Sequence, residues 1–138
     1  MDYQQSCVFR GTRLDATPLV LIVDDDNDNQ LLLEKTIEMF GWSSIVAEDA
    51  VTTIYLAKTK QPDVVLLDIV MPEISGLQVA TMLKARKVTR HIPLIAVTGL
   101  VREQEKQLIM AAGFAECISK PYHLGSIYKA IALALQPI

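Results

Sequence analysis

The sequence has few cysteines and no long apolar run. Only two cysteines, Cys7 and Cys117, occur among 138 residues, and they form no CxxC pair. This argues against both a zinc site and a disulfide framework. No apolar stretch approaches the roughly 18 residues of a membrane span, and the N-terminus lacks the apolar core of a signal peptide. We therefore expect a cytoplasmic protein with no membrane partner.

The sequence also lacks a basic excess. Lysine and arginine number 13 against 16 aspartate and glutamate residues, a formal net charge of −3. This balance argues against nucleic acid as a direct partner. Hydrophobic residues make up 51% of the chain and charged residues 21%, which is typical of a packed globule. We predict a flexible leader over residues 1–17 and one domain over residues 18–138.

Short apolar segments alternate with longer helical patterns along the domain. In the first helix, Leu31, Leu32, Ile37 and Phe40 recur at core-facing spacing, with Asn27 or Asp28 as the N-cap and Gly41 as the stop. The predicted strands are 19–23, 44–47, 64–67, 94–97 and 115–118, and the later helices are 52–58, 77–87, 103–112 and 124–135. Strands that are apolar throughout indicate a parallel sheet with helices on both faces. The predicted fold class is a doubly wound α/β sandwich.

Polar residues stand at the carboxyl ends of four predicted strands, where such sheets carry their sites. The first strand ends in three aspartates at 24–26, the third in Asp68, the fourth in Thr98 and the fifth in the Ser-Lys-Pro segment 119–121. Carboxylates that converge from two strands repel one another unless a hard cation lies between them. We predict Mg²⁺, because it binds few carboxylates and is often completed by phosphate oxygens. Lys120 and Thr98 are suited to contact a phosphoryl group.

Four motifs together resemble the response-regulator receiver family of two-component signalling. They are LIVDDD at 21–26, LLDIVMPEISG at 66–76, IPLIAVTG at 92–99 and SKP at 119–121, in family order across about residues 19–135. The resemblance implies a flavodoxin-like (βα)5 domain with strand order 2-1-3-4-5, similar to the single-domain chemotaxis regulators. It also implies a cis peptide before Pro121 and a loop that ends at Gly76.

The same resemblance implies a role for each matching residue. Asp68 would be the phosphoacceptor, and Thr98 and Lys120 would hold phosphoryl oxygens. Mg²⁺ would be ligated by Asp25, Asp68 and the main-chain carbonyl of Val70, with Asp24 acting through a bound water. Asp26 would lie outside the pocket as a solvated or capping residue.

Some positions depart from the family pattern or bear on signal lifetime. Cys117 occupies the position of the aromatic switch residue, so either movement of Thr98 would carry the switch or neighbouring Tyr122 or Tyr128 would compensate for the missing aromatic. Ser75 replaces the acidic residue that more often precedes Gly76, and we expect it to be tolerated. Val70 and Leu100 border the path of the attacking water in receivers. Because both are apolar here, we predict slow hydrolysis.

The resemblance implies a regulator that is not an enzyme of separate substrates, although it would catalyse its own phosphoryl transfer and slow autodephosphorylation. A histidine kinase or phosphotransfer protein would supply the phosphoryl group, and a downstream protein would be the target. Output would pass through the face of the fourth helix, fifth strand and fifth helix (102–112, Cys117 and 127–135), which is also a candidate homodimer surface.

Three alternatives share parts of this pattern. A haloacid-dehalogenase-like phosphatase would use a DxDx[TV] motif, and Asp24 and Asp26 have its spacing, but Asp28 stands where threonine or valine belongs. A flavodoxin-type carrier would need a neutral loop for the flavin phosphate, which the acidic segment at 24–28 would repel. A degenerate receiver that acts only as a binding module is the remaining possibility.

Overall fold

The computed structural model describes residues 17–99 and 102–136. Most of the predicted leader and Leu100 therefore lie outside the described residues. The strands are β1 (Leu19–Val23), β2 (Ser43–Ala47), β3 (Val64–Asp68), β4 (Leu94–Thr98) and β5 (Glu116–Ser119). The helices are α1 (Asn27–Met39), α2 (Ala50–Lys60), α3 (Gly76–Ala85), α4 (Glu103–Ala111) and α5 (Leu124–Leu135). Each predicted element is present, with its ends shifted by no more than two residues.

All five strands are parallel and form one sheet in the order β2-β1-β3-β4-β5. This confirms the predicted doubly wound α/β fold and its strand order. The three central strands are buried at every residue, as their unbroken apolar runs predict. The edge strands β2 and β5 are only partly covered, because each has a neighbour on one side.

Alternate residues of the central strands enter two separate cores. One face of the sheet packs Val20, Ile22 and Leu66 against α1 and α5, through residues such as Ile37 and Ile131. The opposite face carries the residues between them in sequence, and these pack against α2, α3 and α4. Each central strand is therefore covered on both sides, which leaves its two ends as the places where polar side chains can gather.

The start and inner face of α1 differ from the sequence prediction. Its N-cap is Asp26, whose carboxylate accepts a hydrogen bond from the Asp28 backbone N–H, and not Asn27 or Asp28. Leu31 and Leu32 are 56% and 50% exposed, so their predicted place in the core was wrong. The buried residues of α1 are instead Gln30, Leu33, Thr36 and Ile37. Gly41 ends the segment as predicted, with a positive φ of 85°.

Candidate functional site

Three aspartates come together at the carboxyl edge of the sheet. Asp24 and Asp25 follow β1, and Asp68 ends the neighbouring strand β3. One carboxylate oxygen from each lies within 4.8 Å of the others. Asp24 is 1% exposed and Asp68 4%, whereas Asp25 is open to solvent. The sheet thus brings together residues that are more than forty positions apart in the sequence.

Backbone contacts fix the position of Asp24. Its Oδ1 accepts a hydrogen bond from the Asp26 N–H at 2.9 Å, and its main-chain carbonyl accepts one from Gln30 Nε2 at 2.6 Å. Gln30 is buried on the inner face of α1 and ties that helix to the acidic turn. Sequence patterns did not predict the burial of Gln30. The available signal was an amide side chain close to the end of β1, because a buried main-chain carbonyl requires a donor.

Asp26 makes different contacts from Asp24, Asp25 and Asp68. Its carboxylate caps α1, and the described three-aspartate cluster does not include it. A side-chain oxygen committed to a helix N-terminus is less available to a cation, because it already satisfies a backbone donor. The structure therefore assigns Asp26 a capping role, one of the two roles predicted for it.

The two carboxylate oxygens of Asp68 have different partners: the Lys120 side chain and the backbone of the loop that follows β3. Lys120 Nζ lies 3.6 Å from Asp68 Oδ2, and the Val70 N–H donates to Asp68 Oδ1 at 3.2 Å. The Lys120 N–H in turn donates to the Thr98 carbonyl at 2.7 Å, which joins the ends of β5 and β4. The Lys120–Pro121 peptide is cis, as predicted. Asp68, Thr98 and Lys120 therefore lie on one continuous edge.

Burial dominates the electrostatics of the two inner carboxyl groups. It raises the pKa of both Asp24 and Asp68 above the ordinary aspartate value. The positive charge of Lys120 opposes this rise at both residues, while the charge of Asp24 adds to the pKa of Asp68. Two buried carboxylates that share the charge of one ammonium group are short of positive charge. A cation bound here would relieve that shortage.

This donor set fits Mg²⁺. The cluster offers three carboxylate oxygens, which are hard ligands. Its exposed member, Asp25, leaves room for bound water, and the main chain at Val70 lies directly beside Asp68. Mg²⁺ in proteins is bound in this way, through a few carboxylates with the remaining positions filled by water and phosphate.

Gly76 is needed where the loop after β3 returns to the site. A Cβ at this position would collide with the Asp68 main-chain carbonyl, while the Gly76 N–H donates to the Ile69 carbonyl at 2.8 Å.

Ser75 caps α3, and with Gln78 it forms a reciprocal capping box. Serine is thus well suited to the position where an acidic residue is more usual, because it supplies the oxygen that α3 requires.

The remaining predicted residues surround this edge at different depths. Thr98 is buried at the end of β4, and Val70 is 74% exposed at the rim. Tyr122 carries a buried hydroxyl with no hydrogen-bond partner among the described residues, and burial raises the pKa of its phenol. Cys117 is half-buried in β5, where burial raises the pKa of its thiol. Cys117 lines a hollow between β5 and α5, away from the three aspartates.

No helix in the described part of the chain is both long and apolar enough to cross a bilayer.

Similar proteins carry the same fold. Polar-differentiation response regulator DivK of Brucella ovis is 38% identical over 105 residues, which cover 76% of this chain and 85% of that protein. A response regulator receiver protein from Pseudomonas putida is 27% identical, with a TM-score of 0.77 over 86% of this chain and 98% of that one. The receiver domain of a sensor histidine kinase from Pseudomonas aeruginosa, solved with magnesium coordinated in its active site cleft, is 20% identical, with a TM-score of 0.79 over 86% and 98%.

The family comparison agrees with both the fold and the acidic edge. The model of the response regulator receiver domain matches residues 20–132, which include all five strands apart from Leu19 and the first three-quarters of α5. A parallel sheet in the order 2-1-3-4-5, an aspartate cluster at its carboxyl edge and this match lead to one conclusion: the chain belongs to the response regulator receiver domain family.

Proposed function

We propose that the chain is a phosphorylation-dependent response regulator whose Asp68 accepts a phosphoryl group. The donor is the phosphohistidine of a kinase or phosphotransfer protein. An Asp68 carboxylate oxygen attacks phosphorus, the new P–O bond forms as the P–N bond breaks, and the imidazole leaves with the bonding electrons. The observation that carries this proposal is the buried Asp68 carboxylate with Lys120 Nζ at 3.6 Å, beside two further aspartates.

Each neighbouring residue has a defined part in this transfer. Lys120 Nζ neutralises charge on the phosphoryl oxygens, and the Thr98 hydroxyl donates a hydrogen bond to one of them. Asp25, Asp68 and the Val70 carbonyl would hold Mg²⁺, and Asp24 would act through a bound water. When bound, Mg²⁺ would supply positive charge that offsets the negative charge on the phosphoryl oxygens. Phosphorylated Asp68 then hydrolyses slowly.

The signal passes to other proteins by surface contacts in the cytoplasm. Movement of Thr98 on phosphorylation is transmitted to the adjacent β5 and so to the surface formed by α4, β5 and α5. Cys117 lies in this surface, and a target protein or a second copy of the chain binds there. The register that pairs Thr98 with Ser119, two residues from Cys117, supports this route.

Phosphorylation with acetyl phosphate tests the proposal directly. Wild-type protein with Mg²⁺ is expected to gain the mass of one phosphoryl group, and Asp68→Asn is expected to gain none, because an amide is not a nucleophile. Asp28→Asn, an acidic position on the exposed side of α1, is the matched control and should label like wild type. Unlabelled wild type would favour a degenerate receiver that acts as a binding module. Full labelling of Asp68→Asn would reject the assignment of Asp68.

A further inference from the structure

A second concavity adjoins the three aspartates and is separate from the phosphoryl site. It encloses about 590 Å³ between the start of α2 and the loop that connects β3 to α3. We call it the acidic groove. Its position makes it accessible from solvent on the side of the sheet that carries α2. The transfer chemistry on Asp68 uses none of its residues except Asp25.

The acidic groove also has an apolar lining, which we call its floor, and part of that lining is exposed. Val51, in the first turn of α2, is 81% exposed. The loop after β3 contributes Pro72, which is exposed, and Met71 and Ile74, which are partly buried against the core. Tyr55 extends the apolar surface one helical turn further along α2 and is 61% exposed. Exposed apolar side chains that adjoin one another in a concavity are typical of a binding surface, whereas isolated ones are ordinary.

The rim of the acidic groove carries charge of a single sign. Asp25, Glu48, Asp49 and Glu73 line it, and the described lining includes no lysine, arginine or histidine. Asp49 is partly committed, because its carboxylate caps α2 through the Thr52 N–H at 2.7 Å. The other three are not held by any described cation. This surface therefore repels phosphate and other anions and attracts cations.

A small cation alone would leave the apolar floor exposed to water, and an apolar ligand alone would leave the rim without a counter-charge. A polypeptide segment with both kinds of side chain satisfies both requirements. We propose that the acidic groove binds a partner polypeptide through a lysine or arginine placed beside a bulky apolar residue. This contact is separate from phosphoryl acceptance and from the surface formed by α4, β5 and α5.

Amide chemical-shift titration of the full ¹⁵N-labelled chain in EDTA tests this proposal. The probe is a blocked five-residue peptide of alternating leucine and arginine. We expect saturable shifts centred on Ala50, Val51 and Ile74, and no binding of the same peptide with glutamate in place of arginine. Spermidine, which has charge without apolar side chains, is expected to bind at least about tenfold more weakly, because it leaves the floor unfilled.

Matched variants distinguish specific binding in the acidic groove from non-specific binding of the peptide. Glu48→Gln with Glu73→Gln is expected to weaken the peptide about fivefold or more at low salt, since two rim charges are removed. Val51→Ser is expected to weaken it about threefold or more. Val88→Ser is the control: Val88 is 50% exposed and lies in a different hollow beside Lys58, Arg86 and Lys87. Unsaturable shifts, shifts centred elsewhere, spermidine affinity equal to the peptide's, or equal losses in Val51→Ser and Val88→Ser would overturn the proposal.

Discussion

The interior of the sheet and the two inner aspartates at its carboxyl edge are similarly buried but are opposite kinds of residue. Ile22 and Leu66 have essentially no exposed surface, and Asp24 and Asp68, at the ends of the same two strands, have almost none. Burial of an apolar side chain stabilises the fold, whereas burial of a carboxylate without full compensation destabilises it. The interior therefore stabilises the domain, whereas the buried carboxylates at the edge reduce that stability in return for function.

The direction of the pKa shifts shows how the two buried aspartates change the stability of the fold with pH. Burial raises the pKa of Asp24 and Asp68 in the folded, metal-free chain. Each group therefore favours folding fully below its unfolded pKa near 3.8, and this contribution is lost as the pH rises through the higher folded pKa. Above that pH the ionised form of each carboxylate opposes folding when no cation is bound.

The largest expected effect comes from the interior. Ile22→Ala is expected to lower the free energy of unfolding by about 2–5 kcal/mol, because it removes a fully buried side chain from the core beneath α1 and α5. Val88→Ala, at a half-exposed position, should change it by less than about 0.5 kcal/mol. Urea denaturation followed by circular dichroism measures both. Similar losses in the two variants would contradict the placement of Ile22.

The next effect separates two neighbouring acids at the edge. Asp25→Ala is expected to weaken Mg²⁺ about tenfold or more in calorimetric titration, because one carboxylate of the cluster is lost. Asp26→Ala should leave Mg²⁺ affinity within about twofold, yet lower stability by about 1 kcal/mol through loss of the α1 cap. Equal Mg²⁺ affinities in the two variants would contradict this ordering of the acids.

A smaller effect concerns the exposed rim beside Asp68. Val70→Asn is expected to shorten the lifetime of the phosphorylated protein by about tenfold, since an amide can position the attacking water. Val51→Asn places the same amide at a valine of similar exposure in the acidic groove and should leave the lifetime unchanged. Both are measured by intact mass after the donor is removed. Equal or slower decay in Val70→Asn would reject a role for Val70 in hydrolysis.

Sequence patterns predicted the sheet well because its determinants are local. Each central strand is a short apolar run ended by a polar residue, and parallel packing then brings those ends to one edge. Asp24, Asp25 and Asp68 could therefore be placed together before any coordinates were known. The residue roles at this edge come from family resemblance and stay predictions until the variants are measured.

The inner face of α1 was harder to predict because polar contacts override its apolar pattern. Gln30 is buried because its side chain bonds the Asp24 carbonyl, and Thr36 because its hydroxyl donates to the Leu32 carbonyl at 2.8 Å. These two residues take inner positions that hydrophobicity alone assigns to Leu31 and Leu32. Likewise, Asp26, Asn27 and Asp28 all have side chains that can cap a helix. Only the turn geometry selects Asp26.

The central claim is that the carboxyl edge holds unfavourable charge that Mg²⁺ relieves. Urea denaturation of wild type and Asp68→Asn at pH 7, each in EDTA and in Mg²⁺, tests it most directly. In EDTA we expect Asp68→Asn to be more stable than wild type, because the amide removes a buried negative charge. Mg²⁺ should then stabilise wild type and have much less effect on the variant. A variant that is less stable in EDTA, or that gains as much as wild type from Mg²⁺, would contradict the account.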